Sequence, residues 1–302
     1  MKAFLYGWLL VLAASGCNAQ GERTGEFNGD SALAYVKAQL AFGPRIPNTA
    51  GHQKAGDWIA AQLEARADSV EVQAFTHVTV TGETLKLRNF IGRFRPDQAD
   101  RILLLAHWDT RPRADRSANV GDQQRPVLGA NDGASGVAVL LGVADALKRK
   151  PPTFGVDLLF VDGEDYGDFS ADKDVLIGSR YYAAHLPAGP KPLYAVLFDM
   201  VGDADLTIYQ ESYSVAGAPE VVERVWTRAE ELGFGRYFRP SAAYSLTDDH
   251  VPLQKAGIRA IDVIDFEYGP DNSYWHTVED TEDKISAKSL GIVGEVAVSL
   301  TR

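Results

Sequence analysis

The order of apolar and polar positions changes character about a third of the way along the chain. Before that point it is amphipathic. Leu33, Val36 and Leu40 recur at helical spacing behind Asp30, which predicts a helix capped by that aspartate. A Gly/Pro-rich turn at 43–47 precedes a second amphipathic stretch, where the spacing predicts a helix over 49–65 with Trp58, Ile59 and Leu63 inward. Alternation over 70–75 predicts a half-buried strand, and a second strand is expected over 85–94, after the turn at Gly82.

Beyond residue 100 the apolar positions become continuous. The short runs 102–106, 156–161 and 194–198 read as strands buried on both faces, and 260–264 as a fourth, more polar one. Helical stretches at 134–148, 175–185, 219–232 and 248–256 lie between or beside them, and 287–300 closes the chain. Strands alternating with helices predict an α/β fold, with a largely parallel central sheet covered by helices on both faces. No internal repeat or low-complexity linker interrupts the pattern, so 29–302 is expected to form one domain.

The N-terminus follows a different rule. Lys2 precedes an apolar run, 3–14, long enough for the core of an export signal and short for a membrane span. The run ends in Ala14-Ser15-Gly16-Cys17, and Cys17 is the only cysteine in 302 residues. This resembles a bacterial lipobox, so 1–17 is expected to be a lipoprotein signal with Cys17 lipidated, followed by a polar tether over 18–28. The protein would then be exported and held at a periplasm-facing or cell-surface membrane by lipid alone. With Cys17 so used, no cysteine remains for a disulfide, a metal or a nucleophile.

Charge narrows the range of partners. Acidic residues outnumber basic ones, 41 to 30, for a formal net charge of −11. That bias opposes binding to nucleic acid, which calls for a basic stripe. The short cluster Arg111, Arg113 and Arg116 is interleaved with Asp109 and Asp115 and is expected to be a solvated loop.

Ligands of open α/β sheets bind at the carboxyl ends of the strands, and the buried runs end in unusual residues. The first leads into His107-Trp108-Asp109, the second into Asp162-Gly163-Glu164-Asp165 and the third into Asp199-Met200-Val201-Gly202. Gly129-Ala130-Asn131-Asp132-Gly133 turns into a long helix, and Trp275-His276-Thr277 lies beyond the fourth run. An acidic residue at one strand end is ordinary turn chemistry. Five such positions with two of only six histidines suit a metal site of carboxylate and imidazole, the donor set of catalytic zinc. In the pair Glu164-Asp165, a cation on one carboxylate would leave the other free for acid/base work. No phosphate loop or nucleophile elbow is present. His52, His77 and His185 read as surface or packing residues, and His250 as structural.

Taken in order, these segments, together with Ala134-Ser135-Gly136, Gly178-Ser179-Arg180 and Asp248-Asp249-His250, resemble the M28 zinc peptidase superfamily, and within it the glutaminyl cyclase branch. The resemblance spans roughly 30–300 and implies a three-layer zinc exopeptidase-like sandwich. It implies one zinc per chain, held by Asp132, Asp165 and His276, with Glu164 as proton shuttle supported by Asp199 and Asp248. Trp275 would line the substrate pocket. The implied substrates are peptides or proteins beginning with glutamine, cyclised to pyroglutamate with loss of ammonia.

Peptidases of the superfamily usually bind a second zinc through positions matching His107 and Asp199, both present here, so a di-zinc aminopeptidase is the alternative. Asp248-Asp249-His250 and Trp275 favour the cyclase. A non-catalytic surface lipoprotein is disfavoured, because no expected ligand is replaced. The sequence also departs from animal cyclases. Asp165 stands where they carry Glu, Asp262 where they place a histidine, and the loop 265–274 is longer.

Overall fold

Alternation within the buried strands assigns each side chain to one of two cores. In the computed structural model, which describes residues 25–187 and 189–302, the chain opens with α1 (Gly29–Leu40), α2 (Ala50–Glu64), β1 (Ser69–Val78), β2 (Thr84–Phe94) and β3 (Arg101–His107). Then come α3 (Ala134–Arg149), β4 (Gly155–Val161), α4 (Ile177–Ala184), β5 (Ala195–Asp199), β6 (Ile208–Glu211) and α5 (Ser212–Gly217). The chain closes with α6 (Pro219–Glu231), β7 (Phe238–Tyr244), α7 (His250–Lys255), β8 (Ala260–Ile264) and α8 (Ala287–Ser299). On β3, Ile102, Leu104 and Ala106 enter a large core shared with α1, α2, α3, α6 and α8. Leu103 and Leu105 enter a smaller one on the opposite face, with Tyr182 of α4 and Leu253 of α7. Covering both faces is why these runs carry no polar alternation.

The main sheet has the order β1-β2-β4-β3-β5-β8. β4, β3, β5 and β8 are parallel, whereas β1 and β2 extend the sheet as an antiparallel edge. The chain leaves β3 to β4 on one side and returns to β5 on the other. That reversal opens a crevice at the carboxyl ends of these strands, the place where such sheets bind ligands.

Several expectations need correction. Asn28, not Asp30, caps α1: its side chain accepts from Ser31 N at 2.9 Å, and Asp30 sits in the first turn. Both suit a helix start, so the pattern alone did not separate cap from first-turn acid. The proposed tether is already part of the packed body at its end. Phe27 packs against the large core, and Glu26 and Phe27 donate backbone N–H groups to Glu295. The apolar run 3–14, Cys17 and residues 18–24 lie outside the described residues. β8, the more polar run, is buried throughout like the others, Asp262 included. The short parallel pair β6–β7 and helix α5 carried no clear periodicity and were not foreseen. Among the described residues no helix is long and apolar enough to cross a membrane.

Candidate active site

Three parallel strands and three loops bring the singled-out residues to one crevice. His107 ends β3 and Asp199 ends β5, while Glu164 and Asp165 follow β4 after Gly163. Asp132 arrives from the turn before α3, in which Gly133 has φ 95°. A Cβ there would lie 2.7 Å from the Asp109 carbonyl oxygen, so glycine is required on two counts. Asp248 precedes α7, and His276 follows Trp275 with φ 55°.

Two groups of ligand-type atoms result, each within 4.8 Å: Asp132, Asp165 and His276, and His107, Asp132 and Asp199. Asp132 belongs to both. Its Oδ1 is 3.1 Å from His107 Nε2 and its Oδ2 is 3.4 Å from His276 Nε2. His107 Nε2 also lies 3.1 Å from Asp199 Oδ1, and His276 Nε2 is 3.3 Å from Asp165 Oδ1. Asp165 Oδ2 is buried with no hydrogen-bond partner. An orphaned carboxylate oxygen facing this donor set fits a cation such as zinc.

Electrostatics of the crevice point the same way. Burial pushes Asp165 up to about 7, with the charge of Asp132 adding, against His276 and Arg111. Burial and the charge of Asp199 push Asp248 up to about 7. Burial also lifts Glu164 well above the usual carboxylate range, with the charges of Asp165, Asp248 and Asp249 adding against His107. Asp132 is held low despite its burial, by hydrogen bonds with His107 and His276. Carboxylates crowded into a dry cleft repel one another until protons or a cation intervene.

The cleft is a cavity of about 310 Å³. Glu164, Asp132, Asp199, Asp248 and His276 provide its polar floor, and Phe169, Leu246, Ile264, Phe266 and Trp275 its apolar walls. Trp275 stacks on His276 with ring centroids 3.9 Å apart and meets the Phe266 ring at 4.9 Å.

Two buried aspartates that sequence reasoning gave no role hold the loops. Asp109 accepts from the backbone N–H groups of Glu164 and Asp165, at 3.0 and 3.2 Å, and so aims the pair. Asp280 does the same for Asn131 and Asp132, at 2.8 and 3.2 Å, and accepts from the Tyr268 hydroxyl. Asp109 sits in a motif already singled out, which was its one signal; Asp280 had none. Buried Arg45 adds bonds to the carbonyls of Trp108, Leu128 and Gly129.

Arg113 and Arg116 are exposed on a loop, as expected of the arginine cluster, but Arg111 is not. Arg111 is only 7% exposed. Its Nη1 lies 2.6 Å from Asp165 Oδ1, and its Nε and Nη2 clasp Asp115. The charge of Asp165 draws the guanidinium inward, which composition could not reveal. His52 and His77 do have partners: His52 faces Asp162 at 2.9 Å and stacks on Trp108, and His77 faces Asp174 at 2.8 Å. His250 is buried, with Nε2 3.2 Å from Glu211. Both oxygens of Asp262 lack a partner.

The model of peptidase family M28 matches residues 89–301. A glutaminyl cyclase from Porphyromonas gingivalis is 40% identical, with a TM-score of 0.87 over 91% of this chain and 98% of that one. A structure described as a leucine aminopeptidase precursor from Bacteroides thetaiotaomicron is 38% identical, also with a TM-score of 0.87, over 91% and 97%. The glutaminyl-peptide cyclotransferase-like protein of Bos taurus is 26% identical over 264 residues, 79% of this chain and 66% of that protein.

Proposed function

This chain belongs to peptidase family M28, and from that premise we propose that it is a glutaminyl-peptide cyclotransferase, converting N-terminal glutamine of peptides to pyroglutamate with release of ammonia. The observation that carries the reading is the buried Glu164 carboxyl, lining the same 310 Å³ cavity as Asp132 and His276. Kinship with bacterial glutaminyl cyclases supports it.

Asp132, Asp165 and His276 would hold one zinc, which when bound supplies Lewis acidity toward the γ-carboxamide oxygen of the substrate. The substrate's own α-amine is the nucleophile, so the task of the chain is to hold that amine against the carbonyl carbon of the γ-carboxamide, the δ-carbon of the glutamine. Trp275 and Phe266 exclude water and grip the aliphatic stem. Glu164 takes a proton from the attacking amine and delivers it to the departing ammonia, so the C–N bond to ammonia breaks as the ring C–N bond forms. Its raised affinity for protons suits a group that must both accept and return one. Asp199 and Asp248, at the same floor, maintain the field around that proton.

A second reading, a di-zinc aminopeptidase, draws on the other group: His107, Asp132 and Asp199 also lie close enough to share an ion. One zinc is favoured because His107 Nε2 already sits between two carboxylate oxygens, whereas Asp165 Oδ2 has nothing. The deciding experiment incubates the zinc-loaded protein with a glutamine-initiated peptide and follows it by mass spectrometry. Loss of ammonia identifies cyclisation. Loss of a residue, with a stable zinc ratio near two, would establish the peptidase. The sole cysteine after Ala14-Ser15-Gly16 further supports a lipid anchor at Cys17 and an exported site of action.

A further inference from the structure

The rim of this acidic cleft carries one unexplained positive charge. Among the described residues that line the cavity, Arg116 is the only lysine or arginine, set against Asp132, Glu164, Asp199 and Asp248. Two contacts fix its place. Its backbone N–H donates to the carbonyl of His276 at 3.2 Å, tying it to the segment that supplies a proposed metal ligand. Its guanidinium lies over the Trp275 ring, 5.2 Å from the centroid. The neighbouring Arg111 is spent on Asp165 and Asp115. Arg116 has no such carboxylate partner among the described residues: its side chain is exposed and reaches the cavity with its donors unused.

Resting on the cyclase reading, we infer that Arg116 is a specificity-determining residue that selects substrates with a carboxylate on the residue after the glutamine. The glutamine must occupy the floor, where the proposed metal ligands and Glu164 are, so the following residue emerges along the wall made by Trp275. A guanidinium lying over that wall leaves its donors free, and a planar fork matches a carboxylate in two hydrogen bonds. On a chain of net charge −11, an acidic peptide is otherwise repelled from this cleft. Arg116 offsets that repulsion at the one point where the second residue passes. The carboxylate can be a side chain or, in a dipeptide, the C-terminus.

The test measures kcat/KM for amidated Gln-Glu-Ala, Gln-Gln-Ala and Gln-Lys-Ala, and for Gln-Ala as free acid and as amide, with wild type and Arg116→Gln. The variant should lower kcat/KM for the Glu peptide about fivefold relative to the Gln peptide, the scale of a half-exposed charge pair. The change should appear in KM more than in kcat, as for binding shared by ground and transition states. The two dipeptide forms show whether a terminal carboxylate is read as well. Raising ionic strength should compress the wild-type preference and leave the variant nearly unaffected. An equal fall for all peptides would overturn the inference and make Arg116 a support for Trp275 alone. If wild type cyclises none of them, the cyclase reading itself fails. If it cyclises them all and Arg116→Gln leaves their ratios unchanged, only the specificity inference is lost.

Discussion

Glu164 and Asp165 are neighbours in the chain, yet their surroundings separate them. Glu164 faces the cavity with its nearest imidazole nitrogen, His107 Nδ1, at 3.7 Å, whereas Asp165 contacts His276 and Arg111 and keeps one oxygen free. Glu164→Gln should therefore retain zinc and fold normally while kcat falls by ~10²–10⁴, the usual worth of general acid/base participation. Asp165→Asn should instead weaken zinc affinity, and added zinc should restore part of the activity. Metal analysis beside single-turnover kinetics separates the two. If Glu164→Gln loses zinc while Asp165→Asn keeps it, the assigned roles are reversed.

At the scale of the element, α3 and β5 position Asp132 and Asp199 by touching along a seam of small residues. A Cβ added at Gly136 would lie 2.2 Å from the Phe198 carbonyl oxygen and 2.9 Å from Ala106 Cβ. Backbone cannot yield as a side chain can, so Gly136→Ala must push the helix from the sheet. We expect a loss of about 1–3 kcal/mol in urea unfolding, as for other overpacked cores, together with reduced activity, because Asp199 follows Phe198 directly. Wild-type stability in that variant would mean that the seam has slack. The strands and long helices were legible because burial on one or both faces imposes a period. β6, β7 and α5 were not, because their short stretches mix exposed and buried positions without one.

For the whole molecule, the buried acids set how stability depends on pH. Asp165, Asp248 and Asp280 all rise from 3.8 to about 7 through burial, aided by neighbouring negative charge. Groups with raised folded pKa bind more protons folded than unfolded, so their ionisation lowers stability between about pH 4 and about pH 7. His107 adds in the same direction: despite its burial, Glu164 and Asp199 raise it well above 6.5, and its contribution is lost as pH climbs through that raised value. Glu211, lowered to about 2 against burial by the nearby His250 and by the backbone N–H groups of Tyr213 and Ser214, acts oppositely, but its window closes near the ordinary glutamate value. Metal-free protein should therefore show a Tm that falls from about pH 5 to about pH 8, with zinc raising it most at the higher pH, as calorimetry with and without chelator would reveal. A flat metal-free profile would contradict the buried cluster. Separately, Cys17→Ser in a bacterial host should move the protein from the membrane fraction to the soluble one. If wild type is already soluble, the lipid anchor is wrong.

The sequence by itself determined the α/β class, the buried strands, the convergence of His107, Asp132, Glu164, Asp165, Asp199 and His276 on one sheet edge, and the family resemblance. Those follow from periodicity and from the rule that parallel strands present their carboxyl ends together, which need no distances. Only the tertiary structure decided what each group faces. It made Asp132 the carboxylate between two imidazoles, turned Arg111 inward onto Asp165, and left Arg116 on Trp275. It also assigned Asp109 and Asp280 to backbone amides from distant segments. Contacts between residues far apart in the chain leave no local pattern: burial sets the strength of a charge, and burial exists only once the layers have closed.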